Sequence, residues 1–135
     1  MMAKLGLSDV MGDPGDDDTP ASVDYRLARE ATLFAWRSGE LSESQICDAQ
    51  RELRRNAHHC GEPVDAPCPV CAAESLVDVT YVFGPRLPAH GRCVSHPAEL
   101  GRLARRRGRF TAYVVEVCVA CGWNHLSRSQ VLGTA

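Results

Sequence analysis

The sequence predicts an α+β protein, an N-terminal helical hairpin followed by a three-stranded antiparallel sheet held between two cysteine knuckles, with a basic helical insertion between strands. Three observations lead there. Two C-x2-C pairs, Cys68/Cys71 in "APCPVCAAESL" and Cys118/Cys121 in "VVEVCVACGWNHL", stand well apart in the chain. Apolar residues recur at helical spacing over 23–60. Strand-like alternation begins soon after the first pair and returns just before the second. The resulting organisation is an acidic tail over 1–22, a hairpin over 23–61 and a sheet region over 62–135 with an arginine-rich insertion at 84–110.

With 135 residues the chain is one domain plus tails and buries only a modest core, so a metal or disulfides supply part of the stability of many domains near this size. No apolar run approaches the ~20 residues that cross a bilayer. The opening "MMAKLGLSDVMGDPGDDD" lacks the apolar stretch of a secretory signal. The expected compartment is therefore the cytoplasm, where thiols stay reduced and C-x2-C pairs bind metal or do redox chemistry.

The formal charge of −2 hides an asymmetry. Residues 1–24 hold Lys4 against Asp9, Asp13, Asp16, Asp17, Asp18 and Asp24, a net of about −5, and leave the remainder at about +3. Rich in Gly, Pro and Asp, this tail has too little apolar surface to offset the entropy of ordering, and reads as a flexible solubilising segment or an arm over a basic surface.

In "SVDYRLAREATLFAWRSG", Val23, Leu27, Ala31, Phe34 and Ala35 form one helical stripe that Gly39 ends. The second helix starts at a capping box, Ser42 with Gln45, flanked by Leu41 and Ile46 at hydrophobic-staple positions. Ile46, Ala49, Leu53 and Ala57 continue its apolar face to Gly61, and Cys47 beside that face reads as a small core residue. A short connection makes these helices antiparallel neighbours, with Phe34, Ile46 and Leu53 between them.

After the proline-punctuated "EPVDAP", strands are expected at "SLVDVTYVF", at "FTAYVVEV" and, briefly, at "WNHLS". The four paired cysteines suit one structural Zn2+. Zinc takes four ligands tetrahedrally and favours thiolates, and two intervening residues let one tight turn aim both sulfurs at one point. Gly122 supplies the dihedral freedom such a turn needs. For a modest core, the roughly 10 kcal/mol of apparent folding free energy from a structural zinc is decisive.

Three rivals fit less well. "CPVC" matches the active-site tetrapeptide of a glutaredoxin-like oxidoreductase, yet "EPVDAP" precedes it in place of a strand and the second pair goes unused. "PCPVC" matches half of a zinc deaminase site, but no H-x-E lies upstream. A disulfide framework sits poorly with an odd total of seven cysteines. Of the other ligand types, Cys93 and His96 make a C-x2-H that can join Cys60 and His58 or His59 in a second metal site only if the two segments meet. His125 either replaces a cysteine ligand or lies on the third strand.

The insertion "GPRLPAHGRCVSHPAELGRLARRRGRF" contains a helix over 97–107, with Pro97 in its first turn. Residues 86–109 hold Arg86, Arg92, Arg102, Arg105, Arg106, Arg107 and Arg109 against Glu99, a net of about +6. Arginine forks pair bidentately with phosphate and displace counterions, so Arg102, Arg105, Arg106, Arg107 and Arg109 are the candidate nucleic-acid contacts. An acidic protein, the acidic tail, or solvent alone are the competing partners.

The knuckles "CPVC" and "CVACGW" with their strands resemble the zinc-ribbon class common in ribosomal and transcription proteins, over residues 67–128. As a whole the chain is similar to a small actinobacterial family of unassigned function. That resemblance implies an intracellular zinc protein and carries no catalytic residue. Ala72 stands where a glycine often follows the first knuckle, and the insertion is longer than ribbons usually have. The expected function is a nonenzymatic accessory protein of the ribosome or transcription apparatus that meets RNA or DNA backbone through its arginine-rich helix. The alternative is a protein adaptor whose hairpin, through residues such as Trp36, and basic helix dock an acidic partner; no membrane and no small-molecule substrate are implied. Tyr81, Tyr113 and Trp123 either stack on unpaired bases or pack the sheet.

Overall fold

A computed structural model describes residues 22–135; the acidic segment predicted over 1–22 lies outside the described residues except for Ser22. Ten elements follow in chain order: β1 (Ser22–Asp24), α1 (Arg26–Arg37), α2 (Glu43–Ile46), α3 (Arg51–Cys60), β2 (Glu62–Pro63), β3 (Leu76–Phe83), β4 (Arg92–Val94), α4 (Pro97–Ala104), β5 (Phe110–Cys118) and β6 (Asn124–Leu132). The strands make one antiparallel sheet in the order β1-β6-β5-β3-β2, with β4 also on the outer edge of β3.

The three expected strands form its centre, because β-branched and aromatic residues there alternate with polar ones. β3 pairs with β5 over its whole length, from Leu76 opposite Cys118 at one end to Phe83 opposite Thr111 at the other. The third strand runs to Leu132, well past the short "WNHLS" segment. Its extension is paired on both sides, with β5 and with β1, so it does not need a strong pattern of its own.

Helical structure departs from the hairpin expectation in two places. Val23 belongs to β1 and not to a helix, because its backbone adds to the edge of β6 opposite Ser129. α1 buries Thr32, Leu33 and Ala35, while Leu27 and Phe34 are 84% and 71% exposed. The helix has turned a different stripe to the sheet, and Phe34 does not lie between helices. The second helix is interrupted at residues 47–50. Its start is as expected: Ser42 Oγ accepts from the Gln45 amide at 3.2 Å, and Gln45 Oε1 accepts from the Ser42 amide at 2.8 Å. α3 packs on β3 and β4 in place of α1.

The apolar core falls into three adjoining groups. Leu33, Ala35, Leu41 and Ile46 from the helical region pack with Leu76, Trp123, Cys68 and Cys118. Ala57 and Leu53 of α3 cover Val79, Val115, Val117 and Leu126 at mid-sheet. Leu103 and Leu100 of α4 cover Val82, Val94, Phe110 and Ala112 at the far end. α4 ends at Ala104, three residues short of the expected helix, and the chain then turns to rejoin the sheet. No helix of the described residues is long and apolar enough to cross a membrane.

Candidate metal centre

Both C-x2-C segments fold into the same tight turn. The Ala72 amide donates to the Cys68 carbonyl at 3.0 Å, and the Gly122 amide donates to the Cys118 carbonyl at 2.9 Å. In each turn the residue after the second cysteine has positive φ, +65° at Ala72 and +90° at Gly122. The amides inside the turns point at sulfur, Val70 N to Cys68 Sγ at 3.4 Å and Trp123 N to Cys121 Sγ at 3.3 Å. The second turn joins β5 to β6, and the first leads into β3, which pairs with β5; that pairing brings the two turns together at one end of the sheet.

The sulfurs of Cys68, Cys71, Cys118 and Cys121 all lie within 4.8 Å of one another, so the four can hold a metal ion. Cys68 to Cys121 is 3.7 Å and Cys71 to Cys118 is 3.6 Å. A tetrahedron with 2.3 Å metal–sulfur bonds has edges of about 3.8 Å. The spacing therefore matches a tetrathiolate site, and all seven cysteines are free thiols.

Electrostatics divide the sulfurs. Burial pushes the Cys68 and Cys121 thiols up to about 12. Burial acts upward on Cys118 too, but hydrogen bonds from the Cys121 and Ala120 amides, the Ser75 hydroxyl and the Cys71 thiol outweigh it and bring Cys118 down to about 7. Cys118 accordingly offers a thiolate before Cys68 or Cys121 does.

Two residues adjoin the four-sulfur group without belonging to it, and the sequence placed neither there. Cys47, expected in the core of a continuous helix, places its sulfur 3.6 Å from Cys121 Sγ. The interruption that allows this is made by the second turn: the Ala49 amide leaves the helix to donate to the Gly122 carbonyl at 3.0 Å, and Asn124 Nδ2 donates to Asp48 Oδ1 at 3.0 Å. Arg54 lies over the same turn, with Nη2 2.8 Å from where a Cβ on Gly122 would be. Its Nε is buried without a hydrogen-bond partner among the described residues. The one sequence signal for Cys47 was the count, seven cysteines for a four-ligand site.

The other candidates sort plainly. His125 lies on β6, fully buried, with Nε2 3.3 Å from Thr32 Oγ1, and is not one of the clustered ligands. Cys60 lies near enough to act on Cys93: burial together with Cys60 pushes Cys93 up to about 12. Neither His58, His59 nor His96 joins them, and among the described residues the four-cysteine group is the only one with three or more metal-ligating side chains. Trp123 is fully buried: its Nε1 donates to Glu116 Oε2 at 2.8 Å, which also accepts from Arg29 Nε at 2.9 Å. Tyr81 is buried with its hydroxyl accepting from Asn56 Nδ2, and Tyr113 meets Phe83 edge-on. These rings pack the protein. Trp36 likewise packs partly buried against the core.

Arg102, Arg105, Arg106, Arg107 and Arg109 are all exposed, and none forms an ion pair among the described residues. Glu99, the acid of this segment, is engaged by Arg92. The turn itself is fixed by its backbone. Thr134 N donates to Arg106 O at 2.8 Å, Gly108 N donates to Thr134 O at 2.9 Å, and Arg86 Nη2 reaches Arg107 O at 2.6 Å. Seven residue steps along β3 separate this end from the knuckles, roughly 23 Å of strand.

Fold and site together define a mixed α/β protein whose antiparallel sheet carries a four-cysteine cluster at one end. The chain belongs to a family of unknown function, DUF5318, whose sequence pattern matches residues 18–135. It is 42% identical over 113 residues to the uncharacterized protein Rv0049 of Mycobacterium tuberculosis, covering 84% of this chain and 82% of that one. The same identity and coverage hold for the uncharacterized protein Mb0050 of Mycobacterium bovis. The actinobacterial resemblance read from the sequence thus stands. No solved structure matches the chain.

Proposed function

We propose that the four cysteines bind one structural Zn2+ in a zinc-ribbon arrangement, and that the protein is a nonenzymatic accessory factor whose arginine turn meets nucleic-acid phosphate. Zinc is the choice because a closed set of four thiolates on tight turns is its usual structural site, with no position left for substrate. A single observation carries the nucleic-acid reading: five exposed arginines without carboxylate partners, among the described residues, project from a backbone that hydrogen bonds hold in place. Such an array neutralises phosphates at small cost in ordering entropy. The centre lies at the opposite end of the sheet, so the ion's role is to hold the fold and not to touch the ligand.

Measuring affinity for RNA and for DNA across a salt series tests this. Tight binding at low salt that weakens steeply is expected, and replacing Arg105, Arg106 and Arg107 by alanine should flatten the slope by about 2–3 logarithmic units per decade of salt. A second reading has its own observation. Leu27 and Phe34 project together from α1 at 84% and 71% exposure, which suits a protein partner docking on that helix. A flat salt response, with binding lost on Phe34→Ser, favours that adaptor.

A further inference from the structure

Cys47 stands outside the four-sulfur group and yet is held against it. Its sulfur lies 3.6 Å from Cys121 Sγ, the same separation as between Cys71 and Cys118 within the group. That approach is built in and not incidental. Residues 47–50 leave the helix to dock on the second turn, through the Ala49 amide on the Gly122 carbonyl and through Asn124 on Asp48. Both sulfurs belong to half-buried residues, within reach of small solutes, whereas Cys68 and Cys118 are buried and the exposed Cys71 has only the buried Cys118 at that distance. Closing from 3.6 Å to a disulfide needs only about 1.5 Å of approach.

We propose that Cys47 and Cys121 form an oxidation site, in which a disulfide between them withdraws one ligand from the centre and releases the ion. This rests on the reading of the four cysteines as a metal site. The oxidant is of the peroxide class. Cys47 sulfur attacks one peroxide oxygen; an S–O bond forms as the O–O bond breaks, and the second oxygen leaves as water with the proton from the thiol. Cys121 sulfur then attacks Cys47 sulfur. The S–S bond forms, the S–O bond breaks, and the departing hydroxide takes a proton from solvent to leave as a second water. Two sulfurs are each oxidised by one electron and one peroxide is reduced to two waters. Cys121 no longer has a thiolate to give, and three remaining sulfurs hold the ion weakly.

The experiment starts with elemental analysis of reduced protein, which judges the metal reading by itself. Hydrogen peroxide is then added in equimolar amount, zinc release is followed with a chromophoric chelator, and disulfides are mapped by mass spectrometry after alkylation. In wild type, release should accompany a bridge between Cys47 and Cys121. Cys47→Ser should bind one ion as well as wild type and release it at least about tenfold more slowly. Equal release rates in the two proteins, or a bridge that joins Cys71 to Cys118 instead, overturn the proposal. Should the reduced protein hold no metal, the metal reading fails, and mapping the metal-free chain still decides whether Cys47 and Cys121 are partners.

Discussion

The carbonyl of Gly122 accepts a hydrogen bond from the amide of Ala49 at 3.0 Å, joining the second cysteine turn to the point where the N-terminal helices break. Around that bond the fit is close. A Cβ on Gly122 would sit 2.8 Å from Arg54 Nη2 and 3.1 Å from the Cys47 carbonyl, in a residue whose φ is +90°. Backbone conformation favours glycine here, and space adds to it through the Arg54 side-chain end and the Cys47 carbonyl. The cysteine end of the sheet and the helical region are thus packed against each other at this point.

Gly122→Ala should destabilise the reduced, metal-loaded protein by about 2–4 kcal/mol, because the strain of left-handed backbone adds to the displacement of Arg54 and the Cys47 carbonyl. Chemical denaturation of wild type and variant under equal metal concentrations checks it. A loss below ~0.5 kcal/mol would show that residues 47–54 move aside freely.

Ala72 occupies the equivalent place in the first turn, with φ +65° and an exposed side chain. Ala72→Gly should stabilise the protein by about 0.5–1 kcal/mol, since the relief of left-handed strain exceeds the added entropy of the unfolded chain. Thermal unfolding should show the midpoint rising by a few degrees. Conformation acts at both positions, so the excess of the Gly122→Ala loss over the Ala72→Gly gain measures the crowding.

How much could be read beforehand follows from which physics is local. The cysteine pairs, the capping box at Ser42 and Gln45, and the two long strands all declare themselves within a few residues, and each is in place. The failures have a tertiary cause. Ala49 fits a helical stripe, yet its amide finds a better partner in the Gly122 carbonyl, seventy-three positions away, and the helix breaks. α1 has apolar residues on two faces, and the sheet selected Leu33 over Leu27 and Phe34 because Arg29 and Thr32 on the adjoining face reach Glu116 and His125. Cys47 was legible as a buried apolar thiol only while the helix was continuous. Spacing found the four clustered cysteines; contact alone revealed the fifth sulfur.

Trp123 follows Gly122 and is fully buried, packed in the same core group as Cys68 and Cys118. Chelation of the metal should therefore loosen its surroundings and shift its fluorescence to longer wavelength, together with a loss of helical circular dichroism from α1 and α2, which pack in that group. Restoring zinc to the reduced protein should reverse both. Retention of the full helical signal after complete metal removal would mean that the helical region stands without the centre.

Metal affinity should fall steeply with acid. In the metal-free protein Cys68 and Cys121 are held at about 12 by burial, so both carry protons throughout the range from pH 6 to 9 and both must lose them on binding. Cys118, near 7, is already largely thiolate above that pH and adds a further displaced proton below it. Raising the pH removes the competing protons, so the sign is a gain in affinity with pH. The gain should be at least about a hundredfold per unit above pH 7, steepening as the pH drops below 7. Competition against a chelator of known pH behaviour measures the slope. A slope of one proton or fewer would mean that burial does not hold these thiols protonated, and that the metal-free protein keeps its sulfurs open to solvent.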